Sequence, residues 1–269
     1  MDLIGVQTTR VPPTRDELWF RPGEVPLGGG TWLFSEPQAD VTGLVDLTGL
    51  GWAPIVSTPR SVLISGTCTF AELSRLPGRP GWTAHPLFWQ CCTALLGSVK
   101  VWTAATVGGN ICLALPAGPM TSLAAALDAE ALIWTPAGGE RRVPVAELVT
   151  GVQTCDLAPG EVLRSIDIPV SSLTARTGFR RIALSPIGRS GTLVIGRVDA
   201  SGEVTITITA GTRRPRQLRF DELPTARALE SAVLEIDDWY DDPHGAPDWR
   251  RAMSVLYAEE LRVELGGPT

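Results

Sequence analysis

Two glycine-rich turns hold the residues whose types and spacing could do chemistry. The first is Pro26-Leu27-Gly28-Gly29-Gly30-Thr31-Trp32-Leu33, and the second is Ala105-Thr106-Val107-Gly108-Gly109-Asn110-Ile111. A Gly-Gly step lets backbone N–H groups approach a ligand with no Cβ in the way. Successive N–H groups in such a turn form a nest for an anion such as a phosphate. Two such turns, each with a threonine and the second with Asn110, predict a clamp on a diphosphate from both sides.

Few other side chains offer chemistry. The chain has two histidines, His85 and His244. That excludes a site with three histidine ligands and leaves a Ser-His-Asp relay unsupported. The five cysteines are Cys68, Cys91, Cys92, Cys112 and Cys155. They are odd in number and lack CxxC spacing, so neither a disulfide framework nor a metal site is indicated. No G-x-G-x-x-G follows the first strand, and there is no P-loop. No catalytic side chain stands out, and the chemistry is expected to come from a bound cofactor.

The net charge of −6 argues against a nucleic-acid partner. Apolar residues at 44% against 19% charged describe a well-cored globular chain rather than a disordered one. No run approaches the roughly 18–20 apolar residues that span a membrane. Met1-Asp2-Leu3-Ile4 lacks a basic stretch followed by an apolar one, so no signal peptide is read and a cytoplasmic location is expected.

Periodicity and punctuation give the elements that position the turns. An N-terminal α/β segment is expected over residues 1–55, a middle one over 56–170 and a C-terminal one over 171–269. In the first, Thr14 caps a helix start with Glu17 three residues on. Val41 to Leu47 then reads as a strand before the turn-rich stretch from Gly49 to Pro54. In the second, Ser61 to Ser65 reads as a strand, and Phe70 to Leu76 as a helix opened by Thr69 and stopped by Pro77. Pro86 to Leu96 reads as a buried helix, and Thr121 to Ala129 as a helix capped by Thr121 or Ser122. Ala131 to Trp134 and Glu161 to Ile168 read as strands. In the third, Thr192 to Val198 and Glu203 to Thr209 flank Asp199-Ala200-Ser201-Gly202 as a hairpin. Two helices follow, Thr225 to Ile236 and Trp249 to about Val263.

The turns, their order and their surroundings resemble the FAD-binding domain of molybdenum hydroxylases. That family includes the medium subunit of carbon monoxide dehydrogenases and the flavin domain of xanthine dehydrogenases. Its first loop, roughly A-G-G-T-D-L, matches Gly28 to Leu33 and continues in Leu44-Val45-Asp46-Leu47. Its second, roughly V-R-N-x-G-T-I-G-G-N, matches Val101 to Asn110. The likeness runs on through Pro116, Ala124 to Ala129, Pro159-Gly160-Glu161-Val162-Leu163, Ile168-Pro169 and Asp248-Trp249-Arg250-Arg251, and so covers nearly the whole chain.

The resemblance implies an α+β fold. Two α/β subdomains hold FAD between them, and a C-terminal domain of antiparallel sheet and helices follows. It implies diphosphate contacts from Leu27, Gly28, Gly29, Gly30 and Thr31, with Leu33 beside them and Thr106, Gly109 and Asn110 completing the second wall. Ala105 and Cys112 would line the cofactor, and Leu163 would pack near the flavin. Arg180 stands where the family often carries a basic residue near the isoalloxazine, a fixed charge that stabilises a reduced, anionic flavin. In the family, electrons pass from a molybdenum centre through [2Fe–2S] clusters to FAD and leave to NAD, dioxygen or a quinone. Five cysteines are too few for two clusters that each need four thiolates. The iron–sulfur and molybdopterin parts are therefore implied on partner chains.

Four places depart from the family pattern. Trp32 replaces an acidic or small polar residue, and Trp102-Thr103 stands where Arg-Asn is common. Leu115 replaces a polar neighbour, and Pro119 stands where an Asp that hydrogen-bonds the cofactor is usual. Three functions stay open on the residues: an electron-transferring FAD subunit, a stand-alone flavoenzyme (oxidase, dehydrogenase or monooxygenase) acting on a small metabolite, and a non-catalytic binding module on a flavin fold.

Overall fold

Strands β1 (Thr8–Arg10), β2 (Glu24–Leu27) and β3 (Gly43–Asp46) form a three-stranded sheet in the order β1-β3-β2. Both pairings are parallel. The computed structural model that shows this describes residues 3–267, so Met1 and Asp2 of the stretch read for a leader lie outside it. Strand β3 takes the centre because Gly43, Leu44 and Val45 are buried. A Cβ on Gly43 would lie 2.6 Å from Thr8 Oγ1 and 2.9 Å from Glu24 Cγ, which explains a glycine inside a strand. The helix expected at Thr14 is a single 3-10 turn, Arg15–Glu17. The Thr14 hydroxyl bonds the Glu17 carboxylate at 3.2 Å instead of capping a backbone amide.

The middle region continues with β4 (Ile55–Ser57), β5 (Ser61–Ser65) and the helices α1 (Phe70–Leu73), α2 (Pro86–Ala94), α3 (Val99–Ala104), α4 (Val107–Leu113) and α5 (Pro119–Ala126). Then come β6 (Glu130–Trp134), β7 (Glu140–Pro144), α6 (Val145–Leu148), β8 (Val149–Gly151), β9 (Thr154–Cys155), β10 (Val162–Pro169) and α7 (Val170–Leu173). An antiparallel sheet runs β4-β5-β10-β6-β7, and β8 pairs with β9 alone. Its inward residues Ile64, Ile133 and Ile166 meet Phe70, Leu87, Phe88, Ile111 and Leu123 from the helices in one core. Thr69 and Glu72 form a full capping box at α1. Helix α5 starts at Pro119, earlier than expected, because proline suits a first helical position and Thr121 and Ser122 lie inside.

The last region holds β11 (Arg176–Ile182), β12 (Thr192–Val198), β13 (Val204–Thr209) and β14 (Arg216–Phe220), antiparallel in sequence order. The expected hairpin joins β12 to β13, with Gly202 at a φ of 96° in its turn. Helices α8 (Ala226–Leu234) and α9 (Pro247–Gly266) cover one face, where Leu229, Val233, Ala258 and Leu261 meet Val194, Ile206 and Ile208. The other face meets α5 through the Ser122–Thr209 hydroxyl pair at 2.6 Å.

Two buried arginines tie this sheet down. Arg197 donates to the Ala126 carbonyl at 2.8 Å and pairs with Asp128 and Asp199. Arg250, 1% exposed, donates to the carbonyls of Gly245 and Gly191 at 2.7 Å each, and also to Ala210 and to the Asp242 carboxylate. Removing one partner of such a buried set leaves the others without a donor. Arg250→Ala is therefore expected to lower the unfolding free energy by about 3–5 kcal/mol in urea titration. A loss below about 1 kcal/mol would mean that water replaces the guanidinium without penalty.

Candidate cofactor-binding site

A cleft of about 580 Å³, a common size for small-molecule sites, opens beside the two glycine turns. Leu27, Gly28, Gly29, Gly30, Thr31 and Leu33 line it from the first turn. Ala105, Thr106, Gly109, Asn110 and Cys112 line it from the second, and Leu163 from β10. The turns meet edge to edge. A Cβ on Gly29 would lie 1.6 Å from the Ala104 carbonyl oxygen, and one on Gly28 would lie 2.8 Å from Thr106 Oγ1. The two turns thus line one continuous cleft.

The first turn offers the seat its main chain. Among the described residues, the N–H groups of Gly29, Gly30, Thr31, Trp32 and Leu33 meet no acceptor within the protein. Gly30 has a φ of +69°, the left-handed step that turns successive amides toward one point. The second turn is helical, which corrects the expectation of a loop. Thr106 caps α4 by accepting the Gly109 N–H at 3.1 Å, and this anchors a glycine-rich first turn that propensity alone disfavours. Val107 and Gly108 are further fixed by N–H bonds to the carbonyls of Cys68 and Gly66. A Cβ on Gly108 would lie 2.6 Å from the Gly66 oxygen, whereas one on Gly109 would meet only Thr106 Oγ1, at 2.8 Å. The glycine at 108 therefore serves backbone packing, and the one at 109 leaves room for the Thr106 hydroxyl that caps the helix.

Asn110 has two faces. Its Oδ1 accepts the Met120 N–H at 2.9 Å, so it caps α5, whose own N-cap, Gly118, has no side chain to do so. That bond fixes the amide orientation and leaves the Nδ2 donors for the cleft. Cys112 is half-buried, and burial pushes its thiol well up; the neighbouring Cys155 is pushed up to about 11 by the same cause. Both are protonated thiols, poor nucleophiles at neutral pH.

Charge in the cleft is sparse. Glu161, the one carboxylate on its lining among the described residues, accepts two bonds from Arg141, at 2.9 and 2.7 Å, and one from the Ala158 N–H at 2.9 Å. The hydrogen bond from Arg141 holds that carboxyl below the usual range, so it is not a free base. Arg180 does not reach the cleft. It points from β11 to α9 and pairs with Glu260 at 2.7 Å and Glu264 at 2.6 Å, acids distant in sequence. The guanidinium on the lining is Arg189, which sequence reasoning missed. Its Gly-Arg-Ser-Gly setting marks only a turn. Of the departing residues, Trp32 and Leu115 line the cleft, while Trp102 packs edge-on against Trp89 at 5.8 Å. Pro119 lies buried at the start of α5, off the lining.

Amides without an acceptor and one neutralised carboxylate make the cleft suited to an anionic group. Residues 17–171, more than half of the chain, match the family described as FAD binding domain in molybdopterin dehydrogenase. The chain belongs to that family, and FAD is its cofactor. No curated protein sequence matches it. Among solved structures, it is similar to quinoline 2-oxidoreductase from Pseudomonas putida 86, with 20% identity over 96% of each chain and a TM-score of 0.81. It is also similar to carbon monoxide dehydrogenase from Oligotropha carboxidovorans, with 20% identity over 96% of this chain and 98% of that one, at a TM-score of 0.79. The enzyme from Hydrogenophaga pseudoflava matches at 17% identity over 95% and 96%, with a TM-score of 0.76. These likenesses establish the α+β fold expected from the sequence.

Asn110 separates its two roles by substitution. Asn110→Ala is expected to cost about 1 kcal/mol of stability in the cofactor-free chain, the typical loss of a helix cap. Asn110→Asp keeps the acceptor and is expected to stay within about 0.5 kcal/mol of wild type, at the level of an ordinary surface change. Equal destabilisation of both variants in urea would mean that the α5 cap is not what Asn110 contributes.

Proposed function

We propose that this chain seats FAD in the cleft and serves as the flavin subunit of a larger oxidoreductase. In that role it takes electrons from an iron–sulfur and molybdopterin partner on separate chains and passes them to an external acceptor such as NAD or dioxygen. The observation that carries this reading is the run of amides from Gly29 to Leu33 with no acceptor among the described residues, on a cleft that Gly109 also lines. Both features suit a diphosphate held without cationic side chains. We assign the diphosphate to Gly28, Gly29, Gly30, Thr31 and Gly109, with the Thr106 hydroxyl and Asn110 Nδ2 beside it. Leu163 and Cys112 supply apolar wall.

Bound FAD would supply the redox chemistry, taking up and releasing electron pairs. The chain's own part is to bind, to orient and to limit water. Its lining carries no imidazole, its carboxylate is tied to Arg141 and its thiol is protonated. A flavin site that oxidises a small metabolite by itself commonly needs a group to take the substrate's proton. The lining lacks such a group, which favours the subunit over the stand-alone enzyme. All five cysteines are free thiols, in keeping with a cytoplasmic setting. Among the described residues, no helix is long and apolar enough to cross a membrane.

Two measurements test the reading. The chain purified from its native host is expected to be yellow, with one flavin per chain, and to elute with a [2Fe–2S] and a molybdopterin polypeptide. A colourless chain that neither quenches FAD fluorescence nor is stabilised by FAD would point to the non-catalytic module instead. Gly109→Val puts a branched side chain on the cleft lining beside Thr106 and is expected to weaken FAD binding by at least about 100-fold, near 3 kcal/mol. Stoichiometric FAD in a folded Gly109→Val chain would place the diphosphate elsewhere.

A further inference from the structure

The sheet that carries the first glycine turn has little to hold it in place. Its buried residues Val41, Leu44, Val45 and Leu47 belong to neither of the two large apolar clusters. Among the described residues, a single hydrogen bond and no ion pair cross from residues 3–53 to the part of the chain after Pro54. That bond runs from the Arg15 guanidinium to the Gly139 carbonyl. The covalent link passes through Gly51, which has a φ of +60° and open space where a Cβ would stand. It reaches the middle sheet at Pro54, whose carbonyl accepts the Ser65 N–H at 2.9 Å. A lobe joined in this way can swing as a body about the link.

Two joints oppose that swing. One is the glycine contact at the cleft, where Gly28 and Gly29 press on Thr106 and Ala104. The other is a stack of cations and rings. Arg15 lies over the Trp134 ring at 4.4 Å, and Arg164 lies over the Trp52 ring at 4.4 Å and over Trp134 at 5.7 Å. The two indoles meet edge-on at 5.3 Å. Arg15 and Trp52 belong to the lobe, and Trp134 and Arg164 to the middle sheet, so three of these four contacts cross the joint. Neither arginine has a carboxylate partner among the described residues, and the Arg164 guanidinium has no hydrogen bond either. Both cations rest on ring faces instead.

Strand β10 ties this stack to the cleft. Its register against β6 slips between Leu163 and Ser165, which makes Arg164 the extra residue of a bulge. Leu163, just before it, lines the cleft, while Arg164 lies on the indoles. The Arg164 carbonyl accepts the Gly66 N–H at 2.9 Å, and the Gly66 carbonyl accepts the Gly108 N–H at 2.9 Å. The stack thus grips the lobe from the same backbone that holds the second glycine turn.

We propose that Arg15, Trp52, Trp134 and Arg164 form a cation–π latch that keeps the N-terminal lobe closed on the cleft, with Trp134 and Arg164 as positioning residues for the amides of the first turn. None of the four lines the cleft, so they act through the lobe and not on the cofactor. The consequence for FAD rests on the cleft binding FAD as proposed above.

The test compares the full chain with Trp134→Leu, which removes the ring that both guanidinium groups share, and with Trp134→Phe, which keeps a ring face. Trp134→Leu is expected to weaken FAD binding about tenfold, chiefly through faster release, and Trp134→Phe to stay within about threefold of wild type. Arg164→Met keeps the length without the charge and should follow Trp134→Leu, whereas Arg164→Lys should recover most of the affinity. Hydrogen exchange of the cofactor-free chains separates positioning from stability. In Trp134→Leu the amides of residues 48–53 are expected to exchange at least about fivefold faster, while those of β3 keep the wild-type rate. Unchanged FAD affinity in Trp134→Leu overturns the latch where the wild-type chain binds FAD, and the reading of the cleft then stands. Equal losses in Trp134→Leu and Trp134→Phe overturn the cation–π assignment. Exchange in β3 that quickens as much as in the link also overturns the latch, because the lobe would then be unfolding rather than swinging. Failure of the wild-type chain to bind FAD overturns the reading of the cleft, and the exchange rates then decide the latch by themselves.

Discussion

The contact on which the structure depends is backbone against backbone, where Gly29 lies on Ala104 and Gly108 lies on Gly66. The space left for a side chain is negative in both places: an added Cβ would stand 1.6 Å from one carbonyl oxygen and 2.6 Å from the other. The first contact joins the three-stranded sheet to the helices, and the second joins α4 to the end of β5. The neighbouring amides and carbonyls of the helical side are spent on the join, with Phe70 N–H on the Ala105 carbonyl at 3.0 Å and Val107 N–H on that of Cys68 at 2.8 Å. The amides of the first turn are not spent. These amides meet no acceptor among the described residues, and their residues line the cleft. Close packing and unbonded amides thus occur at the same turn.

Charge is distributed by the same logic. The apolar and main-chain surfaces of the cleft leave chemistry to the cofactor, and the charged side chains work mostly as struts. Arg141 neutralises Glu161 inside the cleft, Arg197 and Arg250 tie the third sheet to its surroundings, and Arg180 links β11 to α9. Desolvation lowers the pKa of Arg181 and Arg250, but a guanidinium stays charged across physiological pH, so both remain donors. A strut of this kind is costly to break because each carbonyl it serves is buried with it.

Local chemistry was legible in the sequence where it acts locally. The helix start at Thr69, the β12–β13 hairpin and the first glycine turn are each specified within a few residues, and the structure forms them. Long-range choices were not legible. Thr14, read as a cap, meets no backbone amide, whereas Thr106 does, because Cys68 and Gly66 bring the next two residues into place. Arg180 and Arg189 differ by nine positions in one stretch. Which of them faces the cleft depends on Glu260 and Glu264, about 80 residues further on. Propensity and spacing carry no information about such partners. Short strands such as β1, β8 and β9, too brief for a period to show, escaped for a simpler reason.

The departures from the family pattern fall on helix starts and packing faces more than on the amide seat. Pro119 gives α5 a preformed first turn, and the acceptor that helix needs comes from Asn110 across the chain. An aspartate at that position could have capped the helix or met a ligand, whereas proline can do neither. Asn110 Oδ1 therefore has one fixed duty here, and only its Nδ2 remains for a cofactor. Trp102 packs against Trp89, with its indole N–H buried and unbonded. It gives up a hydrogen bond for apolar contact, a trade that is tolerable where shape fixes a helix rather than where polarity recognises a ligand. The main-chain donors of the first turn do not depend on these side chains. Amides cannot be substituted, and as long as Gly29, Gly108 and Gly109 stay glycine, the residues around them can change without removing the donors.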